Sequence, residues 1–93
     1  MIIGTCSVEL RLWEANSLKE KRHIVKSIIQ KLKNQYNVSV AEVDLQDKWK
    51  SAVLGIACVT NETVHAHSII STVVNFIERD TRVELVDYRV EIL

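Results

Sequence analysis

The sequence predicts an α+β domain in which two helices cover one face of a four-stranded antiparallel sheet. Two amphipathic helical stretches alternate with four β-like stretches, in the order strand, helix, strand, strand, helix, strand. A chain of 93 residues can build only one core, and two glycines with no proline leave no linker-like segment. Two strand–helix–strand units with right-handed crossovers then give a ferredoxin-like βαββαβ arrangement, as one domain over residues 1–93.

The first and third strands are predicted to be the central pair of the sheet. From Ile2 to Leu12 apolar residues recur at every second position, which indicates a half-buried strand. Residues 51–60 are apolar on both sides, which is typical of a strand covered on both faces. The second strand (residues 38–44) and the last strand (residues 82–93) change phase. The change indicates an edge position or a β-bulge, in the last strand near Leu85.

Capping residues define where both helices are predicted to begin. Ser17 followed three residues later by Glu20 is a capping box, and apolar residues at helical spacing follow it to about Tyr36. The second helix is expected to have Thr60 or Asn61 as its N-cap. Each helix thus has one apolar side that can pack on the sheet.

The first helix also carries the only concentrated charge of the chain. It holds six of the 12 basic residues and one acid, while the whole chain has zero net charge. A polyanion would therefore have to bind a local patch. Cations at spacings of three, four and seven can follow a phosphate backbone, and the alternative is a solvated helix face. The candidate RNA- or anion-binding residues are Lys19, Lys21, Arg22, Lys26 and Lys33.

Lys21 differs from the other cations because it falls at the helical phase of the apolar residues. In one interpretation its stem packs at the edge of the apolar side and its ammonium lies in water. In the other, the ammonium pairs with a strand carboxylate such as Glu42, or it is a fixed anion-binding group. The sequence leaves both open.

The sheet face without helices is predicted to carry small apolar residues at its centre. A second sheet is the simplest cover for such a face, so the sequence predicts a homo-oligomer. The alternative is an open, wetted face with scattered apolar residues. The candidate self-association residues are Ile3, Val53, Ala57 and Val59.

The sequence shows no pattern that predicts a metal site or a cofactor. His65 and His67 are two residues apart on a helix, so they point about 200° away from each other and cannot share an ion. Cys6 and Cys58 lie in apolar strands and have no paired ligand motif, so we interpret them as buried thiols.

No catalytic residue is predicted either. Glu42, Asp44 and Asp47 lack a partner nucleophile and a glycine-rich phosphate loop, so a solvated turn explains them better than acid–base catalysis at a subunit boundary. No apolar run approaches the roughly 20 residues of a membrane span, and Met1 begins no signal-peptide pattern. We therefore expect a cytoplasmic protein that is not an enzyme and does not contact a membrane.

Three stretches of the chain resemble the YlxP-like family of small bacterial proteins, a domain of unknown function. They are SLKEKR (residues 17–22), VSVAEV (residues 38–43) and LGIA (residues 54–57). The resemblance implies a ferredoxin-like fold and genes that often neighbour those of translation-initiation and ribosome-maturation factors. It implies no activity, cofactor or catalytic residue. Because the first stretch includes Lys19, Lys21 and Arg22, the resemblance favours a role for the start of that helix.

Two functions follow as hypotheses. The first is a non-enzymatic protein of translation or ribosome maturation that contacts RNA or a ribonucleoprotein through the basic first helix. The second is an oligomeric small-ligand-sensing or protein-adaptor module that uses the open sheet face.

Overall fold

The computed structural model describes all 93 residues and has the predicted order of elements. The four strands form one antiparallel sheet in the order β2-β3-β1-β4, with β1 and β3 at its centre. The ferredoxin-like arrangement is therefore confirmed. The elements are β1 (Ile2–Arg11), α1 (Leu18–Gln35), β2 (Ser39–Asp44), β3 (Ser51–Thr60), α2 (Thr63–Glu78) and β4 (Glu84–Ile92).

The central pair β1 and β3 is in register over its whole length, from Ile2 opposite Thr60 to Arg11 opposite Ser51. Every second residue of each strand is buried under the helices, as the alternation predicted for β1. The other face of β3 is not covered within one chain, and Val59 on that face is 64% exposed. The apolar character of β3 on both sides therefore leaves one apolar face open to solvent.

The capping box at the start of α1 forms, but the reciprocal contact of the Glu20 side chain is shifted by one residue. Ser17 Oγ accepts a hydrogen bond from the Glu20 N–H (3.1 Å), and Glu20 Oε2 accepts one from the Asn16 N–H (2.7 Å) instead of the Ser17 N–H. At α2 the predicted N-cap is wrong, because the cap is Glu62 and its side chain makes no capping bond. Thr60 Oγ1 instead accepts a 3.4 Å hydrogen bond from the Glu62 N–H.

Both predicted phase changes are β-bulges on edge strands. In β4 the register moves from Glu9–Asp87 to Leu10–Leu85, so β4 has an extra residue close to the predicted position. In β2 the register shifts between Glu42 and Asp44. An extra residue leaves two consecutive positions opposite one partner, which changes the face that the following side chains occupy.

The core lies between the helices and the sheet, and it holds both thiols. Cys6 and Cys58 are buried and free, which confirms the interpretation of these residues. Burial raises the pKa of the Cys6 thiol, which disfavours the reactive thiolate. Tyr36 and Phe76 close one end of the helix layer with an edge-to-face contact, their ring centroids 5.9 Å apart.

Candidate functional site

Four cations form a continuous basic stripe on one flank of α1. Helical geometry places them within about 60° of one another around the axis and along about 20 Å of its length. Their centre lies about 120° from the buried side of the helix. All four side chains are exposed and none takes part in any of the ion pairs of the chain. The members of this basic stripe are Lys19, Arg22, Lys26 and Lys33.

Arg22, Lys26 and Lys33 of the basic stripe lie on the flank of α1 that is turned away from α2. Lys19 borders a pocket that Arg82, in the loop before β4, also lines. On the opposite flank, Ser27 Oγ accepts a hydrogen bond from Arg82 (3.2 Å), and the charge of Lys31 acts on Asp80. Among the strands, α1 makes most of its close backbone contacts with β2, an edge strand. The stripe is therefore at the rim of the molecule, where an extended polyanion can reach it.

Lys21 does not belong to the basic stripe. The interpretation in which its ammonium lies in water is wrong. Its side chain is fully buried, and Nζ donates hydrogen bonds to the carbonyl oxygens of Leu45 (2.6 Å) and Gln46 (3.3 Å). Nζ also lies 2.8 Å from Glu42 Oε2. That oxygen is buried and accepts no well-directed hydrogen bond, so the contact is a close ion pair. The strand-carboxylate interpretation is the correct one, and Lys21 cannot contact a phosphate directly.

The backbone that receives Lys21 has an unusual conformation. Leu45 follows β2 directly and is the one non-glycine residue of the chain with a positive φ, 59°. The left-handed region disfavours a branched side chain, so its surroundings must stabilise this turn. The Lys21 ammonium, bound to the Leu45 carbonyl, is one such stabilising contact. Lys21 is thus an anchor between α1 and the β2–β3 turn.

Ion pairs neutralise other cations of the molecule but leave the stripe untouched. Arg82 NH2 lies 2.7 Å from Asp80 Oδ2, and Arg11 NH2 lies 3.8 Å from Glu9 Oε2. The hydrogen bond from Arg82 lowers the pKa of the Asp80 carboxyl, and the same bond raises the pKa of Arg82. Glu20, the single acid of α1, is engaged by the Asn16 amide. The cations of the stripe therefore form no ion pair with an acid of their own chain.

The open sheet face forms a shallow groove of about 780 Å³. Its floor is made of small residues, Thr5, Ser7, Gly55 and Ala57, and Arg89 lies at the β4 side. The floor is open because these side chains are small and no helix covers this face of the sheet.

The candidate self-association residues do lie on this open face. Val53, Ala57 and Val59 follow one another along β3 at every second position, and Ile3 is directly opposite Val59. The gap in this column, Gly55, is covered by a residue that the sequence interpretation missed. A Cβ atom at Gly55 would lie 2.8 Å from Val43 Cγ1. The signal for Val43 was the shared phase of the apolar residues of β2 on the side opposite Val40.

A second feature that the sequence interpretation did not bring together is a pair of exposed tryptophans. Trp13 precedes α1 and Trp49 precedes β3. The two connections are tied together because Lys50 Nζ donates to the Trp13 carbonyl (2.6 Å) and the Leu12 N–H donates to the Lys50 carbonyl (2.8 Å). Both indoles are therefore at the end of the sheet where α1 begins.

No three histidine, cysteine or acidic side chains come together as a set of metal ligands. His65 Nδ1 is 3.2 Å from Thr60 Oγ1 at the start of α2. Neither helix combines the length and the apolar character that crossing a membrane requires.

Comparisons with known proteins identify relatives over almost the whole chain. The profile of a family described as "Protein of unknown function (DUF503)" matches residues 3–90. "Uncharacterized protein YlxP" of Bacillus subtilis (strain 168) is 34% identical over 90 residues, which cover 97% of this chain and 98% of that protein. Among solved structures, the de novo designed protein Foldit4 is similar, with a TM-score of 0.54, 11% identity and coverage of 100% of this chain and 97% of that one. At that identity the likeness concerns the fold alone.

Proposed function

We propose a function for a chain that belongs to the DUF503 family of proteins of unknown function: it is a non-enzymatic protein that contacts RNA or a ribonucleoprotein through α1. The observation that carries this proposal is the basic stripe, whose four exposed cations have no acidic partner. The resemblance to the YlxP-like family, with its gene neighbourhood of translation factors, favours the ribosome or a ribosomal precursor as the ribonucleoprotein.

The chemistry of the stripe suits phosphates better than bases. Lysine and arginine side chains at the rim of a helix gain affinity by releasing counterions from a phosphate backbone, whatever the sequence. A stripe of about 20 Å can contact several consecutive phosphates. The central strands carry no aromatic pair of the kind that stacks bases in RNA-recognition sheets. The proposed contact therefore positions the protein on RNA and does not read its sequence.

A pair of matched triple variants tests this function. The stripe variant is Lys19→Glu/Arg22→Glu/Lys26→Glu, and the control is Lys31→Glu/Lys48→Glu/Arg79→Glu. The control changes the charge by the same amount at exposed cations outside the stripe that make no ion pair. Binding to ribosomal RNA and cosedimentation with ribosomal subunits should be lost in the stripe variant and kept in the control. Equal binding of both variants, or equal loss in both, contradicts a role of the stripe.

The groove on the open sheet face supports a second candidate, an oligomeric module that senses a small ligand or adapts a protein partner. Its volume of about 780 Å³ lies in the range of small-molecule sites. A ligand that binds the folded state raises the melting temperature by mass action. Ser7→Phe would fill the floor of the groove and abolish such a shift, while the stripe variant would retain it. A metabolite panel that gives no shift with the unmodified protein argues against ligand sensing.

A further inference from the structure

The outer edge of β4 presents backbone groups that no other strand pairs. The Ile3 N–H donates to the Leu93 carbonyl (3.1 Å), and the Leu93 N–H donates to the Ile3 carbonyl (2.8 Å). Backbone groups alternate in direction along an antiparallel strand, so those of Ile92, Val90 and Tyr88 point away from the sheet. In agreement, the Tyr88 N–H donates to its neighbour Asp87 Oδ1 (2.8 Å) and not to a strand.

The same strand leaves apolar side chains uncovered on the helix side of the sheet. Tyr88 lies opposite buried Val8, and Val90 lies opposite buried Cys6, so both are on the face that the helices cover. Yet Val86, Tyr88 and Val90 are 44%, 48% and 38% exposed. Tyr88 and Val90 border a cleft of about 410 Å³ between α2 and β4. This nine-residue edge strand has exposed apolar residues and no lysine or proline, and its β-bulge precedes Asp87, so residues 87–92 are regular strand that is free to pair.

The charges of β4 make this edge complementary to itself. Tyr88 is the midpoint of Glu84–Ile92. If two copies pair antiparallel about a two-fold axis at Tyr88, Asp87 lies opposite Arg89 of the second copy and Val86 opposite its Val90, each twice. Arg89 has no ion pair within its own chain. An axis at the next residue, Arg89, would instead place Arg89 opposite Arg89 and Asp87 opposite Glu91, which repel.

We propose that β4 is a homodimer interface, in which two copies pair antiparallel about Tyr88 and form one continuous eight-stranded sheet. The pairing satisfies the outward backbone groups and covers Tyr88 and Val90 in a joint cleft between the two α2 helices. It also frees Asp87 from the Tyr88 N–H, so that Asp87 can pair with Arg89 of the second copy. This interface is separate from the open sheet face. It also leaves the basic stripe free, because α1 packs on β2 at the opposite edge. The proposal therefore does not depend on the proposed RNA contact.

A charge-swap series tests the proposed register. The unmodified protein should sediment as a dimer at tens of micromolar. Asp87→Arg alone and Arg89→Asp alone each place like charges opposite one another twice, and each should raise the dimer dissociation constant by about tenfold or more. The double variant Asp87→Arg/Arg89→Asp restores opposite charges and should restore the dimer. A monomeric unmodified protein, or a double variant as weak as the single ones, overturns the proposal.

Cross-linking locates the interface independently. In the proposed dimer the two Tyr88 residues form a hydrogen-bonded pair with Cα atoms about 5.5 Å apart, which suits a disulfide. Tyr88→Cys should therefore give a covalent dimer under mild oxidation, since Cys6 and Cys58 are buried. Val59→Cys on the open face is the matched control, because Val59 is also exposed. Cross-linking of the Val59 variant alone would place the contact on the open sheet face and refute the β4 interface.

Discussion

Lys21 Nζ lies 2.8 Å from Glu42 Oε2 in the layer between α1 and β2. The lysine side chain is fully buried, and the glutamate side chain is 17% exposed. Three oxygen atoms surround the ammonium: the carboxylate oxygen of Glu42 forms the ion pair, and the Leu45 and Gln46 carbonyls accept hydrogen bonds. A charged residue is therefore part of the contact between the basic helix and the turn after β2, and it is held by the fold and not by a ligand.

Removing one member of this pair should destabilise the fold more than removing both. Lys21→Met keeps the length of the stem but leaves the Glu42 carboxylate without its cation. We expect a loss of about 3 kcal/mol, at the lower end for buried pairs because Glu42 keeps some exposure to solvent. Lys21→Met/Glu42→Leu removes both charges and should recover a large part of that loss. Urea unfolding of the two single variants and the double variant measures the coupling. A double variant as unstable as the sum of the single ones would show that the ion pair contributes no coupling.

Gly55 should be intolerant of side chains because of Val43. A Cβ atom there would lie 2.8 Å from Val43 Cγ1, so Gly55→Ala forces the Val43 side chain, or the β2 bulge that carries it, to move and should destabilise the protein by about 1–2 kcal/mol. Val43→Ala makes room for the new methyl group and should relieve most of the loss in the double variant. Thermal unfolding provides the comparison. Ala57→Ser, on the same face of β3 but outside the bulge, is the control and should be nearly neutral.

The Asp80–Arg82 pair should make stability depend on pH in the acid range. Because the hydrogen bond from Arg82 lowers the pKa of Asp80 below its ordinary value of 3.8, the folded state favours the ionised carboxyl. The contribution is therefore present above about pH 4 and is lost as the pH falls through the lowered pKa. The difference in unfolding free energy between the unmodified protein and Asp80→Asn should shrink below that pH. Asp47→Asn, in an exposed turn, should give a difference that does not change in the same way.

The fold could be predicted from the sequence because each element has a local signal. The alternation of β1, the capping box at Ser17 and the two amphipathic helices depend on neighbouring residues, and the structure confirms them. The contacts of Lys21, in contrast, could not be predicted from neighbouring residues. Its helical phase indicated the interior, but the acceptors of its ammonium come from a turn 24 residues away with a left-handed backbone at Leu45. Which acceptors a buried ammonium finds depends on tertiary contacts, and the periodicity of the sequence does not specify those contacts.

On the open sheet face, too, the sequence predicts some features of the candidate site and not others. The residues that the sequence assigned to this face lie there, because strand alternation fixes the face of each side chain. The bulge in β2 then moves Val43 over Gly55, and the exact position of a bulge follows from pairing with β3. Likewise, the exposure of Tyr88 and Val90 follows from how far the helices extend over the sheet, which the sequence pattern alone did not specify.

The salt dependence of RNA binding should reflect the number of stripe cations that contact phosphates. Four phosphate contacts to single-stranded RNA predict that the logarithm of the binding constant falls with the logarithm of the salt concentration with a slope of about −3. Lys26→Gln removes one contact and should reduce the magnitude of the slope by about 0.7.

Lys21 and Lys31 provide internal controls for this count. Lys21→Met should leave the slope unchanged at a temperature where the variant is folded, because the buried ammonium releases no counterion from RNA. Lys31→Gln, on the opposite flank of α1, should also leave it unchanged. A slope that decreases equally in all three variants would mean that RNA responds to the total charge of the protein. The basic stripe would then not be the binding surface, even though its cations have no acidic partners.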